Sequence, residues 1–157
     1  MKPLSLHPDR LFSSDPDQRH IARRLYQEVA SLPIVSPHGH TDPKWFADNA
    51  PFSDPANLLF TPDHYLFRML FSQGVPLEDM GIPRLDGQAT EQNPEKIWQT
   101  FSDHYHLFIG TPSRIWLDHA LHEVFGVEVQ LDSSSAVHIY DLIADKLKDK
   151  AYLPRAL

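Results

Sequence analysis

Cysteine is absent from this 157-residue chain, so neither a disulfide framework nor a thiolate metal site is available. That suits a reducing compartment, and a cytoplasmic location is the expectation. Glycine is scarce, at 6, against 14 prolines, which points to many element boundaries and stiff connections. Long apolar runs are missing too. The N-terminus, Met1-Lys2-Pro3-Leu4-Ser5-Leu6-His7-Pro8, has none, and no signal peptide or spanning helix is visible. Basic charge is in deficit: Lys and Arg total 14 against 21 Asp and Glu, a net charge of -7. Nucleic acid is disfavoured, because it needs basic surface to displace counterions. An acidic membrane partner gains no support. An anionic small molecule would need a local positive site, such as a metal or an Arg.

What is present fits one ordinary soluble domain with a real core. Hydrophobic residues make up 41% and charged residues 22%, close to globular averages. A capping habit recurs along the chain: Asp, Asn or Thr followed by Pro at the first helical position. After an extended arm to about Pro16, Asp15-Pro16 opens a helix with Ile21, Leu25 and Val29 on one face, stopped by Pro33. Asp42-Pro43, Asp54-Pro55, Thr61-Pro62-Asp63, Asn93-Pro94 and Thr111-Pro112 open others. Gly74 ends the fourth helix, Leu77–Met80 is a single turn, and a polar loop runs from Gly81 to Gln92. The fifth helix runs through Ile97, Trp98, Phe101 and Tyr105. The sixth carries Ile115, Trp116, His119, Ala120 and Val124, with Gly126 just past its end. Ser133-Ser134-Ser135 precedes a last helix through Ile139, Leu142, Ile143 and Leu147. Trp45, Trp98, Trp116, Phe101 and Phe108 are assigned to the core. Ile34-Val35, β-branched, is the one convincing strand. A lone strand needs a ladder partner; Val127-Glu128-Val129 reads more as a connection. Leu153-Pro154-Arg155-Ala156-Leu157 reads as a helix beginning, so the sequence is expected to continue.

Pro37-His38-Gly39-His40 follows that strand. Residues two apart on an extended segment share a side, so His38 and His40 can converge with only glycine between them. Neutral imidazoles suit zinc, iron, nickel and copper. The bland alternative is two solvent-facing imidazoles in a polar turn, since the chain has 10 His. A catalytic zinc takes about three protein ligands and keeps an open position, so further ligands would come from elsewhere. His64-Tyr65 reads as a surface His with a core Tyr, or as a proton carrier and a hydroxyl donor beside a carbonyl. Arg68, one turn on, reads as a solvated cation that could meet a carboxylate. His104 and His106 diverge if helical. His119 and His122 could share a face, but no Glu stands in the zincin arrangement between them, and a structural role is preferred. The serine run offers caps, with no Gly-x-Ser-x-Gly context for a nucleophile.

Taken together, Leu32 to Pro43, Asp63-His64-Tyr65-Leu66-Phe67-Arg68, Gly74-Val75, Gly110-Thr111-Pro112-Ser113 with Trp116, and Pro154 to Leu157 resemble the N-terminal part of the uronate isomerase (glucuronate isomerase) family of the amidohydrolase superfamily. The resemblance covers nearly the whole chain. It implies an α/β fold, the N-terminal part of a metal-dependent-hydrolase-like (β/α)8 TIM barrel, with this stretch mostly helical. Residues 1–157 would be the N-terminal segment of a single domain. About 32–40 would form the first barrel strand and metal motif, and about 41–150 a helical insertion; the remaining strands would lie beyond residue 157. It implies an aldose–ketose isomerase interconverting D-glucuronate with D-fructuronate, and D-galacturonate with D-tagaturonate, in uronate catabolism. His38 and His40 match the family's first two metal ligands, probable zinc ligands by that likeness. His64 and Tyr65 match a pair lining the substrate pocket. A metal-bound Asp and a nearby Arg come in the family from the last strand, outside this chain. Ser36-Pro37 departs from the acidic residue many relatives carry before the first ligand. The implied partner is a small-molecule uronate, with no nucleic acid and no membrane. A homo-oligomer of the full-length protein is compatible with the resemblance. The isolated stretch, with an incomplete metal shell, is expected to be inactive. Two rival readings are another amidohydrolase-type hydrolase using metal-bound hydroxide, and a non-enzymatic helical module with His38 and His40 at its surface.

Overall fold

The structure, a computed structural model, describes residues 1–36, 39 and 41–156. Seven α-helices lie among the described residues: α1 Pro16–Val29, α2 Pro43–Asp48, α3 Pro55–Leu59, α4 His64–Ser72, α5 Pro94–Asp103, α6 Pro112–His119 and α7 Ala136–Lys146. None is long and apolar enough to cross a membrane. The chain divides into two compact units, one made of Met1–Ser5 with His40–Leu157 and the other of Leu6–Gly39.

The larger unit owes its helix starts to side-chain caps. Asp42, Asp54, Asn93 and Thr111 each accept backbone N–H groups of the turn they open, and each is followed by Pro. These caps satisfy donors that a helix start leaves unpaired. At α4 the start differs from the Thr-Pro reading. Asp63 is the cap, accepting from the Tyr65 N–H at 2.8 Å, while the Thr61 hydroxyl donates back to Asn57 Oδ1 at 3.0 Å.

The core gathers around α5, which packs against α3 and α7. Phe101 stacks on Phe60 with centroids 4.5 Å apart and meets Trp98, Tyr105 and Phe108 edge-on. The Trp98 indole donates to the Ala136 carbonyl at 3.0 Å, tying α5 to the start of α7. Leu66 and Leu70 of α4, Leu117 and Leu121, and Ile139 and Ile143 of α7 are buried with them. α5 ends at Asp103, and Tyr105–Phe108 continues as a 3₁₀ turn. After α6 the chain widens into a single π turn, Ala120–Val124. Val129 forms an antiparallel bridge with Pro3, flanked by bonds from Leu4 N–H to Glu128 O and from Gln130 N–H to Lys2 O, both 2.8 Å. The segment first read as a connection thus pairs with the N-terminal arm. At the other end, residues 154–156 form a turn instead of a helix.

In the smaller unit, Asp15 caps α1. Asp9 pairs with Arg19 and Arg23, and the Arg23 guanidinium lies 5.2 Å from the Phe12 ring centroid. Ile21, Leu25 and Val29 form the predicted stripe but stay exposed. Ile34 and Val35 adopt no strand among the described residues and are 93% and 89% exposed. A strand exists only through its ladder, so the first barrel strand expected at about 32–40 stays an expectation for the full-length protein.

One half-buried polar cluster braces α6. The Tyr105 hydroxyl donates to Asp118 Oδ1 at 2.9 Å, and Arg114 Nε donates to Asp118 Oδ2 at 2.8 Å. The same guanidinium lies 4.1 Å from the Tyr105 ring centroid. Burial, then the Asp118 charge, raises the Tyr105 pKa above the ordinary phenol value. Tyr140, nearly buried, is pushed up to about 12, first by burial and then by the charges of Asp54 and Glu95. Both phenols hold protons more tightly folded than unfolded. Their contribution to stability is complete below the unfolded tyrosine pKa of about 10 and is lost as pH rises through the folded values. Denaturant titrations should therefore show stability falling above pH ~10. Tyr105→Phe should cost about 2 kcal/mol at pH 7, the scale of a bond to a charged acceptor, and flatten that alkaline fall.

Candidate functional site

The chemistry-bearing residues read from the sequence cluster around two short segments, 38–42 and 63–68. His38 and His40 lie outside the described residues. Their neighbours define the site. Asp42 caps α2, accepting from the Lys44 N–H at 2.9 Å, so Thr41 enters the helix at a fixed corner. Asp63 caps α4 in the same way, which fixes the first turn carrying His64 and Tyr65.

Those two corners meet. Thr41, next to His40, and Asp63, next to His64, line one cleft of about 130 Å³. Trp45 of α2, Leu58 and Leu59 of α3, Pro62, and Trp116 of α6 complete its walls. A larger hollow of about 360 Å³ shares Trp45 and Leu58. Its charged lining is Asp42, Asp48 and a Lys44 already 4.0 Å from Asp48, a poor setting for an anion.

The His64 and Tyr65 rings are 4.3 Å apart by centroid and tilted by 34°. His64 is half-buried and Tyr65 is 59% exposed, so the phenol is no core residue, as one sequence reading had it. Arg68, one turn on, is exposed. Trp45 and Trp116 also depart from their core assignment. Trp98, Phe101 and Phe108 are buried, but Trp116 is 39% exposed and Trp45 half-buried. Both face the cleft, and Trp45 is propped edge-on by Phe52 with centroids 5.1 Å apart. Helical spacing around buried Leu117 and Leu121 was the available signal, since it leaves Trp116 beside the buried stripe rather than on it.

The donors present bear on metal binding. Among the described residues, no three His, Asp or Glu stand together in an array that could hold an ion. Asp42 and Asp63 are engaged as helix caps. His104 and His106 do come together once α5 has ended, rings stacked with centroids 6.5 Å apart. Each, however, has its Nδ1 on a backbone carbonyl, Thr100 at 2.8 Å and Asp103 at 3.1 Å. His122 pairs with Glu123 at 3.0 Å, in keeping with a structural role. The sequence pair His38 and His40, which could offer two imidazole nitrogens of the kind divalent transition metals take, lies outside the described residues.

Comparisons with known proteins identify the family. The family model described as glucuronate isomerase matches residues 16–157. A uronate isomerase of Xanthomonas euvesicatoria is 56% identical over 154 residues, covering 98% of this chain and 33% of that protein. One from Rhizorhabdus wittichii is 57% identical over 155 residues, covering 99% and 32%. The crystal structure of glucuronate isomerase from Caulobacter crescentus superposes with a TM-score of 0.92 at 51% identity, over 99% of this chain and 32% of that one. The uronate isomerase of Thermotoga maritima gives a TM-score of 0.76 at 26% identity, over 92% and 29%. The chain thus spans about a third of the length of the relatives it matches. With the match running from the first residue of α1 through the cleft to the last residue, the chain belongs to the glucuronate isomerase family.

Proposed function

We propose that this chain is the N-terminal third of a uronate isomerase of the amidohydrolase superfamily, built as a (β/α)8 barrel. The full-length enzyme interconverts D-glucuronate with D-fructuronate, and D-galacturonate with D-tagaturonate. The carrying observation is the convergence of Thr41 and Asp63, the flanks of His40 and His64, on a single cleft, in a chain of this family.

The reaction moves a proton from C2 to C1 of the open-chain sugar acid through an enediol. It needs a base at C2 and a donor where negative charge grows on oxygen. Tyr65, exposed at the first turn of α4, donates a hydrogen bond to that oxygen, an interaction worth most in the transition state. His64, its ring against the phenol, holds the sugar or carries a proton between its oxygens. His38 and His40 would hold the divalent metal, zinc by the family likeness, and it would supply Lewis-acid polarisation of a sugar oxygen. The base is the aspartate the family supplies from its last strand, so isomerisation belongs to the full-length enzyme.

Two measurements test this. In the full-length enzyme, Tyr65→Phe should lower kcat by about 10²–10³-fold, the scale of a lost oxyanion donor, and His64→Ala by about 10²–10⁴-fold. Unchanged kinetics in both would remove the pair from the mechanism. Separately, a His38→Ala, His40→Ala double variant should lose its zinc on mild dialysis while the parent retains about one equivalent. Equal retention by both would place the ion elsewhere.

A further inference from the structure

α2 is the helix that leads away from His40 through Thr41 and Asp42, and it is ill-equipped to hold itself. It has 6 residues and buries none of them, well below the length at which a helix persists alone. Its N-terminal end has the Asp42 cap. Its C-terminal carbonyls, left unpaired by the helix itself, are met by a residue more than a hundred positions away. Arg155 Nε donates to the Phe46 carbonyl at 2.6 Å, and its Nη2 donates to the Ala47 carbonyl at 2.9 Å. Just beyond, Asn49 takes the left-handed conformation at φ 50°, one that asparagine tolerates and that ends helices. Its Oδ1 accepts the Arg155 backbone N–H at 3.0 Å.

We infer that Arg155 is a positioning residue, clamping the end of α2 and so fixing the Thr41–Trp45 wall of the cleft. The chemistry suits the task. A guanidinium is a rigid planar fork that reaches two carbonyls at once. Its charge sits at the negative end of the α2 dipole. The inference rests on the functional reading above for its catalytic consequence, because Trp45 and Thr41, which follows His40 in sequence, line the cleft. A displacement of about 1 Å in a group far from the reacting atoms can cost about 10²-fold in rate.

The test compares Arg155→Ala and Arg155→Lys in the full-length enzyme at a temperature well below unfolding. Arg155→Ala should speed amide exchange at residues 46–49 by about tenfold or more, with α5 amides unchanged. It should lower kcat for D-glucuronate by about 10–100-fold while KM moves by less than about threefold. Arg155→Lys, able to meet one carbonyl but not two, should recover part of both losses. Unchanged exchange at 46–49 would overturn the clamp. A lowered melting temperature with kcat unaltered would overturn the positioning role. An unmutated enzyme that fails to isomerise uronates would sink the functional reading instead, and the exchange measurement would still decide the clamp.

Discussion

The contact on which the rest of this chain hangs is the stack of Phe60 on Phe101. Phe101 belongs to α5, where it touches three other buried aromatic rings. Phe60 belongs to the end of α3, and its carbonyl accepts the Asp63 N–H at 3.1 Å. The stack therefore anchors the corner from which α4 departs with His64 and Tyr65. Aromatic pairs of this kind add to the area they bury, and close packing leaves the corner little freedom. The geometry of the first turn of α4 is thus tied to hydrophobic packing a few residues upstream.

The other flank of the cleft is held differently. α2 buries no side chain, and polar contacts fix both its ends, Asp42 at one and Arg155 with Asn49 at the other. One wall thus stands on apolar packing and the facing corner on hydrogen bonds to backbone. Under the proposed function, the net charge of -7 would repel an anionic sugar acid at long range, and its capture would depend on local groups.

Local rules were legible in the sequence wherever the structure uses local contacts. Asp15, Asp42, Asp54, Asn93 and Thr111 cap helices because their oxygens bond N–H groups two or three residues ahead, and the following prolines lose nothing there. Gly74 and Gly81 close their elements with positive φ, as glycine readily does. What depends on distant partners was not legible. Val127–Val129 looks like a linker and finds Pro3. Leu153-Pro154 leads into a turn through residue 156. Trp98 and Trp116 look alike in sequence, yet one closes the core and the other walls a cleft. The cleft lined by both Thr41 and Asp63 was not legible, since the two arrive from segments far apart in the chain.

The central claim is that the 38–41 and 63–65 segments serve one pocket. Diffraction from crystals of the full-length enzyme, collected on both sides of the zinc absorption edge, addresses it directly. The account predicts a single anomalous peak ligated by His38 and His40, with the Tyr65 hydroxyl facing the same pocket within reach of one bound sugar. A peak on other residues, or a Tyr65 hydroxyl turned away from the ion across a separate surface, would contradict it.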